Sequence, residues 1–293
     1  MKNLAYLFLI FGMVSCGADN NTIVTEKLTE TQSSDIAKIE VTAEYPKTGD
    51  EYVLNAVRRQ VADMLLPNYQ GSLADGRAIL KQFVQKESSE LTPEGYVPEA
   101  PYTYTADISV AAQTPNFITI EKNAYVYTGG AHGMPMWQAV TVNKNDGQLI
   151  NDNILNDNVN SYNFKQLLKQ GVTTYFTTLK GAVYQCEFQP QKLSEEVFAD
   201  YDVNNLPLPV TKPFLTDSGV GFAYMQYELA SYADGMIAFV IPYAKMQPYM
   251  TSKAWSLVEQ KQKDNAEISA FVSENLTTGY QKYSAMPEHK VCD

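Results

Sequence analysis

The sequence predicts an α+β protein of two linked halves, each mixing antiparallel strands with one or two packed helices. Three observations carry that expectation. Short runs such as Ile36 to Tyr45 (IAKIEVTAEY) alternate apolar and polar residues, the two-residue period of a half-buried strand. Longer runs, Asp50–Leu66 and Tyr162–Leu179, space their apolar residues three and four apart, the period of an amphipathic helix. Their order, strand–helix–helix–strands and then hairpin–helix–strands, suggests a division near Asp152.

The first element is a leader. Met1-Lys2-Asn3 carries one positive charge, Leu4 to Val14 (LAYLFLIFGMV) is apolar, and Ser15-Cys16-Gly17 is small. That is the layout of a secretory signal. The run falls well short of the roughly 20 apolar residues needed to span a bilayer. Met13-Val14-Ser15-Cys16 resembles the bacterial lipobox, with Met where Leu is commoner. The resemblance implies that residues 1–15 are removed and that Cys16 carries a diacylglycerol. The product is expected to be exported and held to the membrane by lipid alone. Gly17 replaces the Asp that retains many lipoproteins at the inner membrane, which points to the outer membrane. Residues 16–35 are polar and poor in bulky apolar groups, the composition of a flexible tether.

Residues 36–151 are expected to form the first half. After the strand at Ile36–Tyr45, Val53, Leu54, Val57, Val61 and Leu65 give a helix that Pro67 ends. Ser72-Leu73-Ala74-Asp75 has capping-box spacing, and Ile79, Leu80, Phe83 and Val84 supply the next buried face. Pro93, Pro98 and Pro101 mark a loop. Extended runs follow at Tyr102–Ala112, Phe117–Glu121 and Ala124–Tyr127. Asn145-Asp146-Gly147 reads as a hairpin turn between Trp137–Val142 and Gln148–Ile150. The second half, residues 152–250, contains the clearest helix, Tyr162–Leu179, with Gly181 as its stop. Phe214–Thr216, Val220–Gln226 and Met236–Ile241 read as strands, and Ala244–Met250 as helical. Residues 251–293 are expected to be a helical C-terminal extension built on Asp264–Thr277.

The chain has 22 basic and 33 acidic residues, a net charge of −11, or −12 once Lys2 leaves with the leader. Phosphate contacts need Lys and Arg, so nucleic acid is a poor partner. The charge suits a basic protein instead. Only two Trp are present, which argues against a Trp-lined glycosidase groove. His132 and His289 are the only histidines, too few for a His-rich metal site, and no cofactor is expected. Gly-rich phosphate loops, CxxC pairs and HExxH are absent. With Cys16 acylated, Cys186 and Cys292 remain, either bridged in one disulfide or as two free thiols.

Two strings are distinctive in combination. One is Tyr125-Val126-Tyr127-Thr128-Gly129-Gly130-Ala131-His132-Gly133. The other runs from Phe214 to Met250 through Asp217-Ser218-Gly219, Tyr227-Glu228-Leu229-Ala230, Tyr232-Ala233-Asp234-Gly235 and Ile241-Pro242-Tyr243. Together they resemble the envelope-protein family that includes the extracellular part of RsiV-like, lysozyme-sensing anti-sigma factors. Ile36 to Glu121 is similar to the accessory domain placed before some peptidoglycan deacetylases. The resemblance covers about residues 36–250. It implies an α+β fold in two linked parts outside the cytoplasm, and recognition of lysozyme by the best-understood relatives. Those anti-sigma factors cross the membrane, whereas this chain has a lipid anchor in that place, so their signalling route is not implied. No binding residue is carried over.

Thr128-Gly129-Gly130-Ala131-His132 joins glycines that permit close backbone approach to a histidine able to act as a base. No nucleophile with an orienting acid stands beside it in a recognisable pattern. It reads as a strand-exit turn or as a ligand contact. Tyr227, Glu228, Tyr232 and Asp234 form a polar aromatic loop, either a Tyr-capped corner or a recognition surface. The candidate ligand contacts are therefore Tyr125, Tyr127, Thr128, His132, Tyr227, Glu228 and Tyr232, with no catalytic residue and no metal ligand. The expected function is non-enzymatic binding of a macromolecular partner such as a lysozyme-type protein. A peptidoglycan-binding accessory lipoprotein and a cell-wall hydrolase with an unrecognised carboxylate pair are the alternatives.

Overall fold

The computed structural model describes residues 22–91, 101–180, 195, 197–199, 201–264 and 267–271. The residues of the expected leader, of the expected lipid site at Cys16 and of the candidate disulfide, Cys186 and Cys292, lie outside them.

The fold is α+β, in two parts with one sheet each. In the first, β1 (Val24–Ser33) and β2 (Ala37–Thr48) form an antiparallel hairpin. The chain then crosses through α1 (Glu51–Leu65) and α2 (Gly76–Glu90) to β3 (Tyr102–Gln113), which runs parallel to β2. A parallel pair needs such a crossover, and helices fill it. β4 (Phe117–Tyr127) and β5 (Met134–Asn143) add antiparallel strands, giving the order β1-β2-β3-β4-β5. The Asp50 carboxylate starts α1 by accepting the amides of Tyr52 and Val53, each at 3.1 Å. At α2 the cap is Asp75, which accepts the Ala78 amide at 3.0 Å; Ser72, the expected cap, serves Ala74 instead. Ile39, Val41, Ala43 and Tyr45 of β2 point at these helices, against Val57, Val61, Ile79 and Phe83.

The second part holds α3 (Tyr162–Tyr175) and an antiparallel sheet of β6 (Phe214–Leu215), β7 (Gly219–Tyr224), β8 (Ile237–Pro242) and β9 (Ser269–Ala270). Ser161 caps α3 by accepting the Phe164 amide. Phe164 of α3 meets Phe222 of β7 edge-on, ring centroids 6.0 Å apart.

β4 is buried on both faces, because the second part covers the face that the helices leave open. Ile118 and Ile120 pack toward α1 and α2, while Phe117 belongs to the second core. On that second face Thr119 Oγ1 donates to the Leu215 carbonyl at 2.7 Å. The Leu215 amide donates to Thr141 Oγ1 at 3.0 Å, and the two threonine hydroxyls are bonded at 2.8 Å. Asn151 adds a second tie, donating to the Pro213 carbonyl at 2.8 Å and accepting the Thr141 amide at 2.8 Å. Trp137 closes the seam with its ring on Phe214 and its Nε1–H on buried Glu121.

Three expectations are corrected. Residues 24–33 of the supposed tether are β1, paired along its length with β2. An edge strand needs few apolar residues: Leu28 is buried, and the Thr and charged residues suit a solvent-facing edge. Within residues 251–271 the expected helical extension is part of the second unit. Ala254, Leu257 and Val258 enter its core, and β9 pairs with β8 where a helix was expected. Phe271 settles against Trp137 and Phe214, and that tertiary anchor overrides the local helical period. Finally, Phe117–Tyr127 is one strand rather than two, and the expected hairpin partner Gln148–Ile150 contributes a single bridge, Val142 to Leu149.

Candidate functional site

Two loops meet beyond the end of β4. One, residues 128–133, joins β4 to β5; the other, residues 225–236, joins β7 to β8. Gly129 and Gly130 lie at φ +93° and +99°, a region that side chains disfavour, and so turn the first loop sharply. The second loop is held by local bonds. The Tyr227 amide donates to the Ala230 carbonyl and the Glu228 amide to the Met225 carbonyl, each at 3.1 Å. The Asp234 carboxylate accepts both the amide and the hydroxyl of Ser231.

The rings of the two loops pack together. His132 stacks on Tyr232 with centroids 4.0 Å apart and planes 23° from parallel. Tyr232 Oη donates to the Gly133 carbonyl at 2.6 Å. Gly133 itself lies against the Tyr125 ring, so that a Cβ there would meet ring carbon Cε2 at 2.7 Å. Tyr227 stands 6.0 Å from Tyr232, centroid to centroid. Burial pushes the Tyr232 phenol above its ordinary value, and the neighbouring Tyr125 and Tyr227 add to the shift. Tyr227 is 64% exposed, with backbone φ of +70°. A non-glycine residue in that region costs about 1–3 kcal/mol and persists only where its surroundings enforce it.

The structure thus brings Tyr125, His132, Tyr227 and Tyr232 into one group and leaves the other candidates outside it. Tyr127 is turned onto its own loop, Oη to the Gly130 carbonyl at 3.1 Å, and Thr128 is exposed. Glu228 points the other way, where its carboxylate accepts the Val210 amide at 3.3 Å. Burial raises the Glu228 carboxyl, with backbone bonds from Val210 and Met225 opposing. Its role is to pin the loop. Sequence reasoning missed Gly133, whose carbonyl and missing side chain seat two tyrosines. It also missed the exposed Met134 and Met136 on β5, which alternate with buried Trp137 and were legible as a strand pattern.

Among the described residues no three His, Cys, Asp or Glu are placed to hold a metal ion. Among them, too, no helix is long and apolar enough to cross a membrane. Carboxylates do gather on the face of the first sheet turned away from α1 and α2, but they are structurally engaged. Glu121 takes Trp137 and Ser109, and Glu44 accepts the Val110 amide at 2.8 Å.

Residues 32–135 match the family model described as Deacetylase PdaC, and residues 137–244 match the one described as Protein of unknown function (DUF3298). β5 pairs with the first sheet but falls almost wholly in the second match. No curated protein matches the chain. A DUF3298 family protein from Pseudomonas aeruginosa PAO1 has a similar fold, with a TM-score of 0.54 at 18% identity, over 81% of this chain and 98% of that one. A member of the same family from Bacteroides fragilis gives a TM-score of 0.56 at 17% identity, over 79% and 96% of the two chains. The chain therefore carries a PdaC-type region followed by a DUF3298-type region, in the two-sheet fold of DUF3298 family proteins.

Proposed function

We propose that this is a lipid-anchored, non-enzymatic envelope protein of the outer membrane that binds a macromolecular partner through the aromatic group at the end of β4. The stack of His132 on Tyr232, joining residues 100 apart in sequence, carries the reading. It turns two tyrosine-rich strings into one preorganised surface. Tyrosine rings present large contact area at small entropic cost, and they are enriched among the residues that dominate interfaces. A lysozyme-type protein is the partner of choice, since a net charge of −11 favours encounter with a compact basic protein. The test is binding to c-type lysozyme at about 0.01 and about 0.15 M salt, with an unrelated basic protein as control. Tyr227→Ala should weaken lysozyme binding about 30-fold, the size of a roughly 2 kcal/mol anchor. Equal binding to both proteins, lost together at the higher salt, would reduce the effect to bulk charge and defeat the proposal.

The match of residues 32–135 to the PdaC model favours one second reading, a cell-wall accessory module that contacts peptidoglycan. Pelleting with purified sacculi, abolished by Tyr227→Ala, would select it over a protein partner.

A further inference from the structure

The side-chain amide of Gln113 grips the backbone of Ile23 from both sides. The Ile23 amide donates to Gln113 Oε1 at 2.8 Å, and Gln113 Nε2 donates back to the Ile23 carbonyl at 3.1 Å. Lys144 Nζ holds the same Gln113 oxygen at 2.9 Å and the Thr114 carbonyl at 2.7 Å. Ile23 is 3% exposed, so this clamp is part of the folded body. It sits at the end of the first sheet where β2 and β3 finish and β4 begins. The aromatic group lies at the opposite end, where β4 finishes.

Three exposed apolar side chains crowd the clamp end: Val24, Tyr52 and Leu149. Val24 opposes Thr48 where the β1–β2 ladder opens, and Leu149 bridges to Val142 at the finish of β5. Tyr52 leans across the same end, its Oη on the Asp146 carbonyl at 2.9 Å. Two of the ion pairs of the surface lie there, Lys47 with Glu26 at 2.8 Å and Lys253 with Asp146 at 2.9 Å, beside the exposed Asp50 and Glu51 at the start of α1. This end thus presents three apolar tips, with paired cations and the two acidic residues at the start of α1 around them.

We propose that this end is a membrane-facing surface, seated on phospholipid headgroups, and that it holds the aromatic group pointing away from the bilayer. The inference rests on the reading that Cys16 carries the lipid. Six residues, or seven Cα–Cα steps, then separate the anchor from Ile23. Fully extended, those seven steps reach about 25 Å. β4, from Phe117 to Tyr127, is about 34 Å long at a strand's rise. With the aromatic end down, the clamp would stand farther above the membrane than the tether extends. Inverted seating is therefore excluded by length, and the apolar tips choose end-on contact from what remains. Tyrosine and aliphatic tips are the side chains that partition into the headgroup region.

The experiment uses the full lipidated chain in phosphatidylcholine vesicles, with a fluorophore-bearing amino acid at position 149 or at position 134 and a nitroxide on the lipid headgroups. Quenching should be several-fold greater at 149 than at 134. Tyr52→Ser combined with Val24→Ser should narrow that difference while vesicle flotation stays complete. Equal quenching, or stronger quenching at 134, overturns the proposal even when flotation and an acylated Cys16 are confirmed by mass. A mature chain that neither floats nor carries lipid overturns the anchor reading itself and this surface with it.

Discussion

Gly171 offers the sharpest test of how the second core is built. It lies inside α3, where alanine in place of glycine ordinarily stabilises a helix by about 0.8–1 kcal/mol. Here a Cβ would stand within 2.6 Å of three Phe239 ring carbons. Carbon atoms prefer about 3.5–4.0 Å, so the ring or the helix must shift by about 1 Å. Phe239 has no room to yield: it is fully buried, stacked 5.9 Å from Phe222 and 6.3 Å from Tyr224. Overpacking of that kind costs about 1–3 kcal/mol, more than the helical gain in most of its range. Gly171→Ala is expected to lose about 1 kcal/mol in urea denaturation followed by circular dichroism. In a Phe239→Leu background the same change should become neutral or stabilising, a coupling within the roughly 0.5–3 kcal/mol seen for touching residues. Stabilisation of the wild-type background by about 1 kcal/mol would refute the close approach of α3 to β8.

Other perturbations read other parts of the molecule. Thr141→Val keeps the shape but leaves the buried Leu215 amide without its acceptor, and should cost about 1–3 kcal/mol in the same denaturation experiment. Tyr232→Phe keeps the ring on His132 and removes the bond to Gly133, so stability should fall by about 0.5–1.5 kcal/mol while partner affinity holds; Tyr232→Ala should lower both. Burial raises the Asp107 carboxyl, with Glu44 and Glu121 adding to the shift and Lys27 opposing it. The folded state therefore holds that proton more tightly than the unfolded one, so its contribution is present below the ordinary carboxylate range and lost as pH rises through the folded value. Asp107→Asn is expected to raise the urea midpoint at neutral pH and to leave it unchanged in acid.

What could be read from the sequence was whatever a single element decides. The apolar stripe of α1 and its Asp50 start follow from helical geometry alone, and both are present in the fold. β1 was illegible because only Leu28 of its ten residues is buried; its identity comes from the ladder to β2. β9 was illegible for a related reason, since Ser269 and Ala270 become a strand by pairing with Val240 and Phe239. The site divides in the same way. Tyr125, His132, Tyr227 and Tyr232 stood out by residue type, but their assembly depends on contacts across 100 residues, and nothing local announces those. Glu228 had the right chemistry and the wrong direction, because its neighbour Tyr227 adopts a left-handed backbone conformation.

The position of the aromatic group follows from the alternation of β4. Phe117, Thr119, Glu121 and Asn123 share one face of that strand and all four are buried, Phe117 in the second core and Thr119 on the Leu215 carbonyl. Tyr125 continues the same face at the rim, where Gly133 lies against its ring and the His132–Tyr232 stack stands beside it. The group is thus the open end of the seam that holds the two halves together. Its tyrosines rest on a base fixed by the Thr119–Leu215–Thr141 bonds and by Trp137 on Phe214. A surface so supported loses little freedom when a partner arrives, which is the condition under which exposed rings become strong contacts. It also couples the two roles. Loosening the seam at Thr141, far from the rings, should weaken partner binding through disorder of Tyr232, and restoring the hydroxyl with Thr141→Ser should bring both stability and affinity back together.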